Sequence, residues 1–409
     1  MIVLVNPLSS GYHLSEACQE AGVDTLHLYE PELARAQAAD TVSPLTEVHE
    51  SFRKTVARLR ARRPVAVLPG SNWGVRLADR LGAALGLPHN DLTLLDARVD
   101  KAVMVKTVAA AGIPVPSSYA VTSREQLENA LDELGAGAVV LKWTNTGASR
   151  GCLRCEGRTE AVQAFEQLIG KPNGIGVVND TVLLQRYEPG PQFGVNTVSM
   201  AGRHLVSDVY YQRYDWAAGA PTSRDLLLAK ELTGRLRRVV AYALSCLDAL
   251  GVVEGCAHTE VRWSAAGPVL VEVNCRHLGC VHTDPYFAAT GRSQVHLLAE
   301  RHLEPDRFAG RLAAPYSTGR ALGMAYLRSR TAGMLASSPG LSAVRRLPGF
   351  HSLVSVPGRG RRITPSNLAM MELGGAYFVH DDEAVVRESL DALHALHSAE
   401  GVYRTRADR

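Results

Sequence analysis

The sequence predicts a mixed architecture: an N-terminal α/β domain built on a doubly wound parallel sheet, followed by α+β segments built around antiparallel hairpins. Three observations carry this. Residues 1–92 alternate short apolar runs (IVLV at 2–5, Leu26 with Leu28, and 64–68) with stretches of helical periodicity, the pattern of parallel strands joined by crossover helices. Residues 258–279, HTEVRWSAAGPVLVEVNCRHLG, alternate with period 2 on either side of the turn-like SAAGP, as a hairpin with two different faces does. The chain has 409 residues, 46% hydrophobic and 21% charged, enough for two or three domains with ordinary cores.

The same bulk properties exclude several classes of function. A net charge of +3 is too small to call for nucleic acid or an anionic membrane as a partner. No apolar run approaches the length of a membrane span, and MIVLVNPLSSGYHL reads as a first strand, not as a signal peptide. Seven cysteines, an odd number, point to a reducing cytoplasm. Cys152 and Cys155 form a CxxC pair with no second pair at zinc-finger spacing, so packed free thiols are the expectation there.

Taken in order, the strand at 2–5 ends at Asn6-Pro7, and a helix is expected from His13 to Ala21. A helix from about Thr46 to Arg62 leads to the strand Pro64–Leu68, and the loop Pro69-Gly70-Ser71-Asn72 opens a helix from Trp73 to Leu85. Neither GxGxxG after the first strand nor GxxxxGK[ST] occurs, which argues against a dinucleotide fold and a P-loop. A helix capped by Asp96 carries Lys101 and stops at Gly112, before Ile113-Pro114-Val115-Pro116. The strand 138–144 sets Lys142 opposite Val139, Leu141 and Trp143, then feeds the loop TNTGASRG at 144–151. Small residues let backbone N–H groups cradle an anion there, with Lys142 as a point charge.

A helix at 160–169 and a strand at 182–187 follow, then two strands within 194–213 around Ala201-Gly202-Arg203. Residues 210–222, aromatic with Gly and Pro, read as a loop able to cover a substrate, and a long helix is expected from Asp225 to Leu250. Beyond the hairpin come a helix near 293–301, strands in ALGMAYL and FHSLVSV, the basic loop Arg359-Gly360-Arg361-Arg362, and a final helix near 382–398.

The hairpin holds the densest chemistry. Glu272, Asn274 and Arg276 share one face over about 13 Å, at roughly 3.3 Å per residue, and His258, Glu260 and Arg262 share a face of the partner strand. A five-residue loop from Ser264 to Pro268 would set Glu260 directly across from Glu272. Opposed carboxylates repel unless a cation lies between them, and oxygen ligands completed by phosphates suit Mg²⁺. By the same reasoning, neutralising Glu272 should leave the unliganded fold as stable as before or slightly more so. A solvated polar hairpin neutralised by Arg276 satisfies the spacing equally well.

Glu260 followed by Glu272-x-Asn274-x-Arg276 resembles the metal-binding end of the ATP-grasp superfamily. The segment ARVDKAVMVKTVAAAGIPVP, Lys142 with its loop, and the strand end at 185–192 occur in that superfamily's order, and the HTE and EVNCRHLG stretches are most similar to the L-amino acid ligases. The resemblance implies an ATP-grasp fold with an N-terminal α/β domain at 1–92, a small lobe with the glycine-rich loop at 93–184, and a large lobe with the metal site and a C-terminal extension at 185–409. It implies that ATP meets Lys101, Lys142, Gly147, Ser149 and Gly151 through its phosphates, Gln185, Arg186, Tyr187 and Glu188 along adenine, and Gln192 (usually Glu in relatives) at the ribose. Glu260, Glu272 and Asn274 would hold Mg²⁺, with Mn²⁺ as a substitute. Arg276, Lys142 and Glu272 would form the catalytic set, Arg276 neutralising the γ-phosphate. Asn72 stands where relatives often have Glu, and Cys275 where they often have Pro.

The implied activity is ATP-dependent ligation of the carboxylate of one amino-acid-like substrate to the amine of another through an acylphosphate, releasing ADP and phosphate. The alternative is an ATP-grasp enzyme that carboxylates or phosphorylates a small metabolite without forming a peptide bond. Partners are expected to be small molecules, with no nucleic acid, no membrane, and a homodimer as the default assembly.

Overall fold

The structure is a computed structural model and describes all residues except 9–10, 37–44, 148–149, 174–175, 218, 280–281, 365–372, 400 and 407–409. The N-terminal unit comprises β1 (Ile2–Val5), α1 (Gly11–Glu20), β2 (Thr25–Tyr29), α2 (Pro31–Ala36), β3 (Thr46–Val48), α3 (Phe52–Arg62), β4 (Ala66–Pro69) and α4 (Val75–Leu85). Its strands are parallel in the order β3-β2-β1-β4. The chain leaves one edge of β1 and returns to the other, so helices cover both faces. Leu14 and Cys18 of α1 pack with Ile2 and Leu4, while Leu59, Leu77 and Leu81 of α3 and α4 cover Val3 and Val5. This is the doubly wound sheet expected from the sequence.

The helix expected over 46–62 begins only at Phe52. Thr46–Val48 instead pairs with His27–Tyr29, because an open sheet edge offers these residues ladder hydrogen bonds, and the apolar face formed by Phe52, Val56 and Leu59 starts after them.

The next unit contains α5 (Leu95–Val99), α6 (Lys101–Ala110), β5 (Ser118–Val121), α7 (Arg124–Leu134), β6 (Val139–Trp143), β7 (Cys152–Cys155), α8 (Arg158–Leu168) and β8 (Val182–Arg186). Its antiparallel order is β5-β8-β6-β7. Leu127, Leu131, Phe165 and Leu168 of α7 and α8 cover the face bearing Val139, Leu141 and Leu184. The opposite face, with Val140, Lys142 and Gln185, is left to a cleft. The single helix expected from Asp96 is broken at Asp100, whose backbone is extended and whose carboxylate caps Ala102 N and Val103 N. Asp100 is the better N-cap, and it puts Lys101 in the first turn of a new helix.

The remainder is built from β9 (Gln192–Met200), β10 (Arg203–Ala217), β11 (Ala220–Leu228), α9 (Gly234–Ala249), β12 (Gly255–Ser264), β13 (Gly267–Asn274), α10 (Thr283–Thr290), α11 (Gln294–Leu303), α12 (Pro305–Arg311), β14 (Ala321–Tyr326), β15 (Gly333–Ser337), α13 (Gly340–Val344), β16 (Phe350–Val354), β17 (Arg362–Ile363), β18 (Gly375–His380), α14 (Glu383–Ala399) and β19 (Arg404–Arg406). An eight-stranded sheet runs β13-β12-β9-β10-β11-β14-β18-β16, beside a small sheet β17-β15-β19. Helix α9 buries Val239, Ala243 and Cys246 against Phe193, Val195, Val209, Val261 and Val273. Helix α14 does the same for β14 and β18.

Two expectations fail here. The described residues of 210–222, that is 210–217 and 219–222, are not a loop but part of the β10–β11 ribbon, paired from Tyr210↔Leu228 to Ala217↔Ala220; Gly219 and Pro221 mark its tip and do not break it. Asp225–Leu228 is strand, not helix. Leu226 and Leu228 bury on one side of the sheet and Leu227 on the other, and a short run buried on both faces has no periodicity that separates strand from helix.

Candidate active site

The site is a polar floor on one face of the large sheet, opposite the face that α9 covers. Directly paired residues on adjacent strands share a face, so the register defines rows. Asn274, His258, Asn196 and Asp208 form one row across β13, β12, β9 and β10; Glu272, Glu260, Gly194 and Tyr210 form the next; Arg262, Gln192 and Gln212 form a third. Gly194 leaves room where a Cβ would stand 2.9 Å from Gln212 Nε2 and 3.0 Å from His258 Cε1.

Glu260 is opposite Glu272 as expected, but by a different route. The turn between the strands is only Ala265-Ala266, with Ser264 paired to Gly267. That turn alone would place Glu260 opposite Val271. A bulge between Glu260 and Val261 makes Val271 the extra residue and restores Glu272 to the floor.

Hydrogen bonds knit the rows together. Gln192 Nε2 donates to Glu260 Oε2 at 2.8 Å and to Gln212 Oε1 at 3.3 Å, and Arg262 donates to Gln192 Oε1. His258 lies between Asn196 Oδ1, 2.7 Å from Nδ1, and Glu260 Oε1, 3.3 Å from Nε2. Asn274 Nδ2 donates to Glu272 Oε1 at 2.8 Å.

The small lobe roofs this floor over a cleft of about 810 Å³, lined among others by Lys101, Lys142, Cys152, Gln185–Glu188, Gln192, Glu260, Arg262 and Glu272. Lys142 Nζ donates to Gln185 Oε1 at 3.0 Å, and Gln185 Nε2 to Ser118 Oγ at 3.0 Å. Lys101 Nζ donates to Thr146 O and lies 3.2 Å from Glu272 Oε2. Gly151 has φ +63°, and a Cβ there would sit 2.2 Å from the Trp143 ring, so only glycine closes this loop. Ser149 lies outside the described residues. Arg186 has its backbone along the cleft, but its guanidinium turns away to the carbonyls of Leu134 and Ala136 at the end of α7. Trp216, Tyr214 and Pro221 of the β10–β11 ribbon also line the cleft. The ribbon therefore stands where a covering loop was expected.

The N-terminal unit reaches the site through Asn72. Its Nδ2 donates to Asn274 Oδ1 at 2.6 Å, and its Oδ1 accepts from Arg276 Nε at 2.9 Å. Gly147 comes to the same place, a Cβ there lying 3.2 Å from Asn72 Nδ2. A second cavity of about 1080 Å³, bordered by Glu30, Asn72, Arg76, Asn173 and Asn274, joins the first through Lys101, Thr146 and Glu272.

Charges follow this geometry. Burial opposes ionisation of Glu272, yet Lys101 beside it, the Asn274 amide and Lys142 hold its carboxyl well below the usual range. Burial pushes the Lys142 ammonium downward, and Cys152 and Glu272 oppose that. Burial pushes the Cys275 thiol up to about 12, which suits a packed residue and not a nucleophile. Among the described residues no cluster of three or more His, Cys, Asp or Glu forms a metal cage. Two carboxylates and an amide fit Mg²⁺ only with phosphate oxygens completing the shell.

The whole chain superposes on the L-amino acid ligase of Bacillus licheniformis with a TM-score of 0.75, covering 100% of this chain and 98% of that one at 18% identity. This chain has the ATP-grasp fold. A second ATP-grasp neighbour is the biotin carboxylase domain of 2-oxoglutarate carboxylase from Hydrogenobacter thermophilus, solved with MgADP, ADP and bicarbonate, at a TM-score of 0.65 and 15% identity over 99% of this chain and 90% of that one. In sequence the chain is 28% identical over 350 residues to dapdiamide A synthase of Enterobacter agglomerans, 83% of this chain and 82% of the relative. No family model matches it.

Sequence reasoning missed Asn196, Asp208 and Gln212. Each lies in an alternating strand, where polar residues read as solvated, and only the register shows that they continue the ATP-grasp floor.

Proposed function

We propose that the protein is an ADP-forming ATP-grasp ligase that joins the carboxylate of one amino-acid-like molecule to the amine of another, giving a dipeptide-like amide. The observation that supports it most is the meeting, in one cleft, of Glu260 and Glu272 with Lys101 and Lys142, with Asn274 and Arg276 at its edge.

Adenine lies against residues 185–188, the ribose near Gln192, and the phosphates beneath the 144–151 loop. Glu260, Glu272 and Asn274 would hold Mg²⁺, or Mn²⁺ in its place, which would neutralise charge on the phosphates. Lys101 exchanges its Glu272 partner for phosphate as ATP arrives, and Lys142 exchanges Gln185. The substrate carboxylate attacks the γ-phosphorus, forming an acylphosphate and releasing ADP. The amine then attacks the acyl carbon, and phosphate leaves. Arg276, oriented by Asn72, faces the negative charge of the group in transfer. Positioning and charge neutralisation supply most of the catalysis in such a transfer, and Tyr214, Trp216 and Pro221 help keep water from the acylphosphate.

The working division is 1–92, 93–184 and 185–409. A homodimer in a reducing cytoplasm is the proposed setting: the cysteines among the described residues are free, and no helix among those residues is long and apolar enough to cross a membrane.

The test is incubation with ATP, Mg²⁺ and pools of amino acids, with identification of all products. ADP, phosphate and a new amide support the proposal. AMP with pyrophosphate refutes it, because that outcome requires an adenylate. ADP with a carboxylated or phosphorylated product and no amide selects the alternative chemistry.

A further inference from the structure

Where β11 leaves the large sheet, a cavity of about 650 Å³ opens beside β10. Strand β9 pairs with β10 from Arg203 onward, but β11 pairs with it only from Tyr210. Among the described residues, the outer edge of β10 at His204–Val206 therefore has no strand beside it. Tyr316 closes one end of the gap, its hydroxyl accepting from Val209 N at 3.2 Å and donating to Ala229 O at 2.6 Å. Leu205, Val206, Leu232, Leu312 and Pro315 give the cavity apolar walls. It shares no lining residue with the catalytic cleft or with the cavity at Asn72. A bulge separates it from the floor: Val206 pairs with Thr197 and Asp208 with Asn196, so Ser207 is the extra residue and the floor begins at Asp208.

The cavity carries one uncompensated charge. Arg311 donates from Nε and Nη2 to the two oxygens of Glu300, at 2.6 and 3.0 Å, and His204 lies between Ser199 Oγ and Asp248 Oδ1. Arg292 differs from both. Its backbone N–H and carbonyl are both held by the Thr290 hydroxyl, which fixes where the side chain starts. Its guanidinium nevertheless makes no ion pair among the described residues, and its Nε is buried without a hydrogen-bond partner. Other arginines of the interior are paired: Arg98 with Asp79, Arg301 with Glu254, Arg328 with Asp215. A buried donor without an acceptor is costly, and no Asp or Glu among the described residues lines this cavity to supply one.

We propose that this cavity is a second ligand site, for a small monocarboxylate with an apolar body and no free ammonium group, held by Arg292. One guanidinium takes a carboxylate through two parallel hydrogen bonds. With no acidic residue in the lining, an ammonium on the ligand would be left unpaired, and the walls suit a hydrocarbon chain. Apolar walls with a few placed polar groups are the usual make-up of a small-molecule site. The site goes beyond the ligase reading and does not depend on it.

The experiment is calorimetry on the full chain with isocaproate and its neutral amide, isocaproamide, followed by displacement of isocaproate with L-leucine, which differs by one ammonium group, and with inorganic phosphate. The expected result is saturable binding of isocaproate, with the amide weaker on the order of 10-fold or more, as for loss of a hydrogen bond to a charged group. Neither leucine nor phosphate should displace it. Arg292→Met should weaken isocaproate by a similar factor, and so should Ala314→Phe, which adds a ring at an exposed position of the rim. No saturable binding, equal affinity for acid and amide, displacement by leucine or phosphate, or an unchanged affinity in Arg292→Met overturns the site. If Arg292→Met does not fold, the wild-type comparisons and Ala314→Phe decide it by the same criteria.

Discussion

Replacing Glu272 by Gln separates the two effects that meet at this residue. From the sequence alone, relief of repulsion with Glu260 favoured an unliganded protein at least as stable as before. The structure reverses that sign. Glu272 is 3.2 Å from Lys101 Nζ, with side-chain exposures of 18% and 13%. At an effective dielectric of about 20, such a pair attracts by roughly 5 kcal/mol before desolvation is subtracted. Breaking a fully buried pair costs about 3–5 kcal/mol; partial exposure and the Asn274 hydrogen bond that Gln can keep reduce this to about 2 kcal/mol. Glu272→Gln should therefore lower apo stability by about that amount, seen as a drop of a few degrees in Tm without nucleotide. It should also lower kcat by at least about a hundredfold, as when one preorganised charge partner of the transition state is removed, and abolish the thermal upshift that Mg-ATP produces. Adding Lys101→Met should recover part of the lost apo stability, with a coupling of about 1–2 kcal/mol in the double-mutant cycle. An apo stability that is unchanged or raised, together with a near-wild-type rate at saturating Mg²⁺, would refute the reasoning.

Lys142→Ala should weaken ATP binding by about 10- to 100-fold, the range for a hydrogen bond to a charged group, and leave amino acid binding unchanged in calorimetry; equal losses for all ligands would indicate a folding defect. Gly151→Ala meets both a φ of +63° and the Trp143 ring, so it should destabilise the protein by about 2 kcal/mol or more, whereas Gly147→Ala, with its nearest contact at 3.2 Å, should be the milder of the two in thermal melts. His27, buried beside Ser15 Oγ at 3.1 Å, is lowered by burial from 6.5 to about 4. Between those values the unfolded chain takes a proton that the folded chain refuses, so stability falls as pH drops below 6.5, by roughly 2 kcal/mol at pH 5, and His27→Gln should flatten that part of the urea-denaturation profile.

Much of the site was legible because its residues are chemically unusual for their positions. Glu272 and Asn274 in an otherwise valine-rich strand, and Lys142 between Val140 and Thr144, stand out in any alternating pattern, and the structure brings Glu272 and Lys142 to one cleft with Asn274 hydrogen-bonded to Glu272 at its edge. The doubly wound sheet was equally legible, because each strand is a short apolar run between helices. What escaped was whatever depends on pairing. Asp225–Leu228 carries no sign that β14 lies beside it. Asp208 carries no sign that one extra serine turns it onto the floor. Asn72 lies 202 residues from Asn274, and no local pattern joins them. Arg186, which the resemblance implied along adenine, spends its side chain on the carbonyls of Leu134 and Ala136 at the end of α7, because a helix C-terminus offers unpaired carbonyls.

The bulge at Val271 has a consequence for how this chain tolerates insertions and deletions. The turn Ala265-Ala266 does not decide which residue of β13 faces Glu260; the single extra residue between Leu270 and Glu272 does. Lengthening or replacing the turn leaves the carboxylates in place as long as the ladder from Glu260 to His258 is kept. Deleting Val271 leaves a hairpin of regular register in which Glu272 still pairs with Glu260 and Asn274 with His258, whereas straightening the bulge without losing a residue sets Val271 opposite Glu260 and rotates Glu272 and Asn274 to the apolar side. In a lineage of such proteins, length changes should accumulate at the tip and be tolerated at the bulge itself, and be absent from Glu272 to Asn274, where a single inserted or lost residue does rotate a site side chain.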